Sequence, residues 1–263
     1  MRRLALFSDI HGNIEALDAV LADIERCGIE ERYCLGDLVG YGPDPGRVVE
    51  RVRALGIPTV QGNYDKGVGG LLGDCGCYYA TEQARADGEA SYQFTTGALT
   101  AGDRAWLFTL PEDIRLEHLG VRVLLCHGSP RKNNEYLLPD RTDEQLLRLA
   151  RQAEADVVCV GHTHGAYHRR IDDEGGAVHY LNSGSVGKPK DGDPRAGWLE
   201  VAIGTEDEVR SAILGDAARG PAGLTHVWVG ALIRRVEYDV EAVARRMVER
   251  GLPVTLAEAL RNA

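Results

Sequence analysis

The sequence predicts an α/β fold in which helices flank either two sheets or one large mixed sheet. The first third of the chain alternates β-like runs with segments of helical periodicity, which is typical of parallel β-α-β units. The later part contains segments that indicate antiparallel hairpins, which parallel units alone do not provide. With 263 residues and 44% hydrophobic content, the chain can bury a sizeable core, and we predict a single domain over residues 1–263.

The first third of the chain predicts three strands separated by two helices. An apolar run over residues 3–8 indicates the first strand, and the next segment keeps apolar residues at helical spacing from Asn13 to Gly28. The elements that follow are a strand over 31–37, a helix over 43–56 and a third strand over 57–63.

The rest of the chain is less regular in pattern. Residues 66–90 are rich in glycine and lack clear periodicity, so we predict an irregular surface excursion there, and residues 205–225 match no motif. The predicted elements between 100 and 204 are a helix over 100–110, a hairpin over 114–128 that turns at Leu119 and Gly120, a helix over 142–155, a strand over 156–162, a hairpin over 167–184 around Gly175 and Gly176, and a strand over 195–204. We predict a C-terminal extension over about 225–263, made of a strand and then a helix over 240–250.

Charge and composition limit the classes of function. The formal net charge is −10, and binding a nucleic-acid polymer along a broad surface needs clustered Lys and Arg, so we expect no such partner. A small anion held at a local site remains compatible with this charge. The N-terminal segment has only a short apolar run, typical of neither a signal peptide nor a membrane span, so we expect a cytoplasmic protein without a membrane partner. The composition is compatible with a monomer or a homo-oligomer.

The cysteines do not form a recognisable framework. The chain has six of them, without the density or spacing of a disulfide scaffold, and we expect reduced thiols. Cys75 and Cys77 are the only close pair, and a Cys-x-Cys spacing alone matches no usual zinc site.

Side chains that can bind metals follow five of the predicted strands. The five segments are SDIHGN, LGDLVG, QGNYD, CHGSP and GHTHG. Loops at the carboxyl ends of strands in an open α/β sheet meet in one crevice, although these segments are far apart in sequence. A lone aspartate or asparagine after a strand is more often a turn former or a helix cap. Four histidines, two aspartates and an asparagine beside glycines exceed what turn chemistry requires, so we predict a shared metal site.

The spacing within two of these segments is also informative. Asp9 and His11 are two residues apart, and His162 and His164 repeat this spacing. In an extended chain, side chains two residues apart lie on the same side. We therefore expect an extended backbone at both pairs, with neighbouring glycines allowing tight bends.

In order, the segments are Asp-x-His, Gly-Asp, Gly-Asn-x-Asp, His and Gly-His-x-His. This order resembles the signature of the calcineurin-like metallophosphoesterase superfamily, from Phe7 to about Trp198, with tyrosine in place of the usual histidine after the asparagine. The segments CHGSPR and SGSVGKPKDGDPRAGW are similar to the bacterial and archaeal branch of small phosphodiesterases related to diadenosine tetraphosphatase. The resemblance implies a four-layer α/β/β/α sandwich of two mixed sheets flanked by helices, with a dimetal site on top of the sheets.

The resemblance also implies roles for individual residues. The first metal would be held by Asp9, His11 and His164, the second by Asn63, His127 and His162, and Asp37 would bridge the two. The implied catalytic residues are Asp37, Asn63 and His127. Two divalent cations would clamp a phosphoryl group and provide a bridging hydroxide for in-line attack on a small or nucleotide phosphodiester. Imidazole and oxygen ligands suit Mn, Fe, Zn or Co better than calcium. We expect two divalent ions, with Mn as the first choice and Fe, Zn, Co or Mg as alternatives.

We predict Tyr64, Arg131 and Arg195 as substrate-binding residues. Tyr64 stands where much of the superfamily has histidine, and a phenol with an ordinary pKa of about 10 is a poorer acid at pH 7 than imidazolium. We therefore expect slow cleavage of esters with poor leaving groups. His168 and His179 are alternative proton donors, although a structural role is more common for histidines of this kind.

Three further charged residues lie near these segments. Asp65 is predicted to support the loop or the metal ligands from behind. Lys188 and Lys190 are additional candidates for phosphate binding, because their segment is rich in turn formers and such loops often carry function. For the lysines, a solvated loop charge is the preferred interpretation.

Two alternative functions stay open. One is a phosphomonoesterase or protein phosphatase of the same superfamily, although those enzymes usually have histidine at the position of Tyr64. The other is a non-catalytic binding module that retains the fold, like the phosphoesterase-like subunit of the retromer coat. A binding module of that kind has an incomplete ligand set, whereas all seven positions are filled in this chain, which favours an enzyme.

Overall fold

The computed structural model describes residues 1–174, 176–213, 216–224 and 226–263. The strands within these residues are β1 (Arg2–Phe7), β2 (Arg32–Cys34), β3 (Asp113–His118), β4 (Val121–Cys126), β5 (Val157–Val160), β6 (Tyr167–Asp173), β7 (Gly176–Asn182), β8 (Ala196–Gly204), β9 (Asp216–Arg219) and β10 (Trp228–Val236). The helices are α1 (Ile14–Arg26), α2 (Pro45–Ala54), α3 (Asn63–Gly69), α4 (Glu82–Ala98), α5 (Ala101–Phe108), α6 (Asp143–Gln152), α7 (Glu206–Ala212), α8 (Val240–Glu249) and α9 (Val254–Arg261).

Two mixed sheets form the centre of the described part of the chain. The first has five strands in the order β2-β1-β8-β10-β9, and the second has five in the order β3-β4-β5-β7-β6. In the first sheet, β1 runs parallel to β2 and antiparallel to β8. In the second, β5 runs parallel to β4 and β7, while β3 and β6 are antiparallel to their neighbours. The alternative of one large mixed sheet is therefore wrong.

The two sheets pack face to face between helices. Leu4 of β1 belongs to a buried cluster that also contains Val123 of β4, so these faces of the two sheets meet. Phe7 of β1 belongs to a different cluster with residues of α1 and α2, and Leu124 of β4 packs with α6 on the outer side of the second sheet. The order is thus helix, sheet, sheet, helix, which confirms the four-layer α/β/β/α sandwich.

The predicted third strand over 57–63 is wrong. Only an isolated parallel bridge between Cys34 and Thr59 joins this segment to β2. The chain then enters α3 directly, because the Asp65 carboxylate accepts a hydrogen bond from the backbone N–H of Gly62 at 3.0 Å and caps the first turn. Asn63 therefore lies in the first turn of a helix rather than at the end of a strand.

The predicted irregular excursion over 66–90 is only partly correct. Residues up to 69 belong to α3, and α4 begins at Glu82, where the Thr81 side chain accepts a hydrogen bond from the backbone N–H of Ala84. The buried positions of α4 are held by small or polar residues and one tyrosine: Gly88, Ser91, Tyr92 and Thr95. A helix that buries such residues lacks the apolar stripe by which a helix is recognised in a sequence.

The C-terminal region contains more structure than the predicted strand and helix. A further helix, α9, follows α8, and α7 and β9 lie within the region that matched no motif. Sequence periodicity missed α9 because it is short and is separated from α8 by Gly251 and Pro253, which interrupt the pattern. The predicted hairpin of β6 and β7 is present, but Gly175 of its turn lies outside the described residues, as do positions 214, 215 and 225 of the region without a motif.

The described helices are all too short or too polar to cross a membrane. The cysteines are free thiols, as expected from their spacing.

Candidate metal centre

The seven predicted metal ligands come together where strands of both sheets end. Asp9 and His11 follow β1, Asp37 follows β2, His127 follows β4, and His162 and His164 follow β5, while Asn63 begins α3. Each of the seven side chains is at most 3% exposed. Six of them form two groups in which ligand atoms lie within 4.8 Å of one another. The predicted convergence of the strand ends is therefore found in the structure.

The backbone of this site is left-handed at five of the seven positions. The φ angles are 54° at Asp9, 49° at His11, 54° at Asp37, 63° at His162 and 62° at His164. A residue other than glycine in this region costs roughly 1 to 2 kcal/mol, and such strain clusters at functional sites. The expected extended backbone at both His-containing pairs is wrong: left-handed turns at alternate residues bring each pair to the same side.

Two glycines are required for close approach. A methyl group at Gly62 would overlap the backbone nitrogen and the carboxylate of Asp37. A methyl group at Gly161 would overlap the Ser8 hydroxyl and lie 2.6 Å from Oδ2 of Asp9. Both aspartates therefore lie directly against backbone that cannot carry a side chain.

The first group consists of Asp9, His11 and His164. Oδ1 of Asp9 lies 3.3 Å from Nε2 of His164 and 3.7 Å from Nε2 of His11. Nδ1 of His11 donates to the carbonyl of Val39 at 3.0 Å, and Nδ1 of His164 donates to the carbonyl of Lys188. These hydrogen bonds fix the rings with Nε2 directed at Asp9, which is the usual way proteins orient metal-binding histidines.

The second group consists of Asp37, His127 and His162. Oδ2 of Asp37 lies 3.3 Å from Nε2 of His127. Nδ1 of His127 donates to the carbonyl of Leu35 at 2.7 Å, so this ring is fixed in the same manner as those of the first group.

Asn63 adds a neutral oxygen to the second group. Its amide nitrogen donates to the carbonyl of Cys75 at 2.9 Å and lies 3.1 Å from the sulfur of Cys77. Its Oδ1 consequently faces the site and lies 3.0 Å from Nε2 of His127. The irregular segment between α3 and α4 thus orients one of the candidate ligands.

Asp37 lies between the two groups. Its Oδ2, which faces His127, is also 3.8 Å from Nε2 of His11 in the first group. Its Oδ1 accepts a hydrogen bond from the backbone N–H of Tyr64 at 2.8 Å. One oxygen is therefore shared by both groups while the other holds the carboxylate in place.

Asp65 supports this arrangement from behind. Its carboxylate accepts hydrogen bonds from the backbone N–H groups of Asp37 at 2.8 Å, Gly62 at 3.0 Å and Leu38 at 3.0 Å. Burial and the negative charge of Asp37 raise the pKa of Asp65 to about 7. Asp65 joins the loop that carries Asp37 to the helix that begins with Asn63, in agreement with its predicted supporting role.

The electrostatics of the site favour positive charge at its centre. Burial lowers the pKa of His164 to about 3 and that of His162 to about 4, so both rings are neutral at pH 7. Burial also opposes a charge on His127, but the carboxylates of Asp37 and Asp9 outweigh it and raise the pKa of His127 to about 10. The two buried carboxylates, Asp9 and Asp37, thus attract a cation strongly.

The acceptor atoms of the site fit divalent metal ions. Nε2 of His11 and Nε2 of His164 are 3.1 Å apart, and because both rings donate through Nδ1, their neutral forms place two lone pairs face to face. Among the described residues, Oδ1 of Asp9 and Nε2 of His162 are buried without a hydrogen-bond partner. Buried acceptors without a donor are costly, and cations coordinated by these nitrogens and oxygens would satisfy them together.

A cavity of about 240 Å³ adjoins both groups. Its lining includes His11 and His164 of the first group and Asp37 and His162 of the second. The other lining residues with large or charged side chains are Tyr41, Tyr64, Tyr78, Tyr79, Asp87, Tyr136, Lys188, Lys190 and Leu256. The cavity therefore combines a metal-binding side with aromatic rings and two amines.

Tyr64 lines this cavity, but its hydroxyl is directed to α4. The phenol oxygen lies 3.2 Å from Oγ of Ser91 and 3.5 Å from the carbonyl oxygen of Gly88. The side chain is fully buried, and burial raises the pKa of Tyr64 well above its ordinary value. This placement does not favour contact between the hydroxyl and a substrate, so a substrate-binding role for Tyr64 stays a prediction.

The two predicted arginines do not line the cavity. Arg131 forms an ion pair with Glu135, and Arg195 forms one with Asp193 at 2.7 Å. Arg131 instead lines a separate cavity that also includes Asn63. The substrate-binding roles of both arginines stay predictions. Lys188 and Lys190, for which the sequence favoured a solvated charge, do line it. The loop that carries the two lysines packs against the loop that carries Asp9, since the backbone N–H of Gly187 donates to the carbonyl of Asp9 at 2.9 Å. The sequence alone does not show this contact.

The two alternative histidines also lie away from the cavity lining. Nε2 of His168 is 3.0 Å from Nδ1 of His179, and Nε2 of His179 is 3.2 Å from the carbonyl oxygen of Arg219. His179 is completely buried. This agrees with the structural role that is more common for such residues.

A four-layer sandwich with two linked metal-ligand groups at the ends of its strands defines the metallophosphoesterase class. The chain belongs to the calcineurin-like phosphoesterase superfamily, whose domain matches residues 2–206. This confirms the family that the five segments suggested. Residues 207–263, which include β9, β10, α8 and α9, lie outside the matched domain.

Individual relatives agree with this assignment. The chain is 31% identical over 273 residues to the uncharacterized protein MJ0912 of Methanocaldococcus jannaschii, covering 98% of this chain and 96% of that protein. It is 26% identical over 202 residues to the phosphodiesterase YfcE of Escherichia coli, covering 74% and 84%. A solved metallophosphoesterase from Sphaerobacter thermophilus is 28% identical with a TM-score of 0.69, covering 99% of this chain and 98% of that one. The predicted small bacterial and archaeal branch is thereby supported.

Proposed function

We propose that this protein is a dimetal phosphodiesterase that acts on small phosphodiesters, including nucleotide diesters. The observation that carries this proposal is the complete set of seven buried ligands in two groups linked by Asp37. Similarity to a phosphodiesterase supports diesters as the substrate class. The bound metal ions would supply a nucleophile from water at neutral pH and stabilise charge on the phosphoryl oxygens. We propose Mn as the metal, with Fe, Zn, Co or Mg as alternatives, because the ligands combine imidazole nitrogen with oxygen.

The chain's own residues have distinct parts in this proposal. Asp37 would bridge the two metal positions, and His127 and Asn63 would hold the second, the asparagine without adding negative charge. Lys188 and Lys190 bind the free oxygens of the phosphoryl group. Lys190 lines the same cavity as members of both groups. Burial lowers the pKa of Lys190, an effect that the negative charges of Asp9 and Asp37 counter. A lysine is a suitable point charge for phosphate.

The size of the cavity supports a small substrate. A volume of about 240 Å³ suits a phosphoryl group with compact substituents rather than a polymer, and the net charge of −10 opposes a nucleic-acid partner. The predicted cytoplasmic location belongs to the same proposal.

A metal and substrate screen tests the proposed function. Metal-stripped protein is reconstituted with Mn²⁺, Fe²⁺, Zn²⁺, Co²⁺ or Mg²⁺ and assayed with bis(p-nitrophenyl) phosphate as the diester and p-nitrophenyl phosphate as the monoester. We expect no hydrolysis without metal, and a higher kcat/KM for the diester with Mn²⁺. Faster hydrolysis of the monoester would favour the phosphomonoesterase alternative. Two bound metal ions without hydrolysis of either compound would favour a binding module.

The placement of Tyr64 leads to a prediction about its hydroxyl. Because this group bonds to Ser91 and Gly88 in α4, we expect Tyr64→Phe to retain kcat/KM for good and poor leaving groups alike. The free energy of unfolding should fall by about 1 kcal/mol for the lost hydrogen bond. The measurement is the dependence of kcat/KM on leaving-group pKa in both forms at equal metal content. If the phenol donated a proton, the variant would lose roughly 10²- to 10⁴-fold on poor leaving groups only.

A further inference from the structure

The wall of the cavity includes a helix that lies outside the family domain. Leu256 and Ala259 of α9 line the same cavity as the metal ligands, whereas the superfamily domain matches only residues 2–206. Ala80, just before α4, and Ala84, in its first turn, are also part of the lining. These four side chains are the aliphatic part of the lining, and we call them the apolar section of the cavity.

The position of α9 is fixed by its packing with α8. The two helices share a buried cluster whose members are Val243, Ala244, Met247, Leu252, Leu256, Ala257 and Leu260. At the edge of the cavity, the hydroxyl of Thr255 donates to Oδ1 of Asp87 in α4 at 2.8 Å. The apolar section is therefore a packed surface rather than a free end of the chain.

The helix pair is also tied to the loop after β2. Nε of Arg246 lies 2.8 Å from one oxygen of Asp44, and Nη1 of Arg250 lies 3.1 Å from the other. Asp44 is only 4% exposed, and ion pairs with a buried carboxylate are held more firmly than surface pairs. The same loop carries Tyr41, whose ring centroid lies 4.9 Å from that of His11. The C-terminal helices thus have a defined position relative to the candidate metal ligands.

We infer that α9 is a specificity element that selects phosphoryl compounds carrying a compact aromatic or apolar substituent. This inference rests on the proposed function, because the phosphoryl group is placed at the metal ligands and the lysines. The substituent then occupies the apolar section formed by Leu256, Ala259, Ala80 and Ala84. Tyr78 and Tyr79 supply aromatic rings to the same cavity, and aromatic rings pack favourably with one another.

Ala259 offers a direct test because its side chain is small and exposed on a helix. An indole at this position would fill much of the apolar section without disturbing the buried face of α9. Glu258 is the matched control, since it is an exposed neighbour on the same helix and is not part of the cavity lining. Ala259→Trp and Glu258→Trp therefore place the same indole at neighbouring positions of α9, one within the cavity lining and the other outside it.

The experiment is calorimetric titration of the Mn²⁺-loaded protein with phenylphosphonate and with methylphosphonate. We expect the parent chain to bind phenylphosphonate more tightly than methylphosphonate. Ala259→Trp should raise the Kd of phenylphosphonate by ~10-fold, the lower end for a mismatch in an apolar pocket, and leave that of methylphosphonate unchanged. Glu258→Trp should change neither. A Kd that is unchanged for both ligands, or raised equally for both, in Ala259→Trp would overturn the inference.

Two measurements keep this result interpretable. Thermal unfolding and metal content show whether Ala259→Trp is folded and loaded, and Ala259→Leu should shift the Kd in the same direction by a smaller factor if the indole is not tolerated. Phosphonate binding needs no turnover, so selectivity can be read even if the parent chain fails to hydrolyse bis(p-nitrophenyl) phosphate. That failure would count against the proposed function, whereas a lack of selectivity would count against the role of α9.

Discussion

Replacing Asp37 by asparagine is expected to lower kcat/KM for bis(p-nitrophenyl) phosphate by more than about 100-fold. This loss exceeds the roughly 10- to 100-fold loss of activity that is usual when a residue that only orients a metal ligand is removed. The variant should remain folded. Asparagine keeps an oxygen that can accept the hydrogen bond from Tyr64, which is 2.8 Å long in the native protein. The substitution removes the negative charge from the Asp37 oxygen that lies between His11 and His127. The two metal ions would then have no carboxylate between them to offset their repulsion.

The measurement combines kinetics with metal content at saturating Mn²⁺. Asp173→Asn is the control, because Asp173 forms an exposed ion pair with Arg151 and a surface pair of this kind contributes little. It should retain native activity and native metal content. Near-native turnover of Asp37→Asn with metal in excess would contradict the bridging role.

The second large effect is expected from Asp65→Ala. Its carboxylate accepts hydrogen bonds from the backbone N–H groups of Asp37, Gly62 and Leu38, and alanine leaves all three buried donors without an acceptor. Each such group costs ~1 to 3 kcal/mol, so we expect the free energy of unfolding to fall by at least about 3 kcal/mol. The loop that carries Asp37 would also lose its connection to α3, which should weaken metal binding by roughly 10- to 100-fold.

Denaturant unfolding of the metal-free protein and calorimetric titration with Mn²⁺ measure the two effects separately. Asp65→Asn is the matched variant, since it has nearly the same volume and keeps one acceptor oxygen. Its losses should be smaller than those of alanine in both measurements. Unchanged unfolding and unchanged Mn²⁺ affinity in Asp65→Ala would show that Asp65 does not hold the loop.

The convergence of the candidate metal ligands could be predicted from sequence because their chemistry is local. Side chains such as Asp9 and His127 directly follow apolar strands, and parallel strands of α/β sheets bring such positions together. The conformation of the ligand loops could not be predicted. Left-handed backbone at Asp9 or His162 is unfavourable for the residue itself and is held by contacts with distant segments, such as the hydrogen bond from the His162 backbone N–H to Asp9 at 3.0 Å.

The substrate side of the site was harder to predict for a related reason. Lys188 and Arg195 are both basic residues of one glycine-rich segment, and nothing in their local pattern separates them. In the fold, Arg195 forms its ion pair with Asp193, two residues away, while Nζ of Lys188 lies 4.8 Å from the ring centroid of Tyr41 beside the ligands. The place of α9 in the cavity wall could not be predicted either, because it depends on contacts with α4, such as the hydrogen bond from Thr255 to Asp87, which is far away in sequence.

We propose that seven side chains hold two metal ions with Asp37 between them. Anomalous diffraction from crystals of the protein loaded with Mn²⁺ tests it most directly. We expect two anomalous peaks per chain, one beside Asp9, His11 and His164 and the other beside Asn63, His127 and His162, with the Asp37 carboxylate reaching both. A single peak, or a structure in which Asn63 or His127 is turned away from the metal, would contradict it.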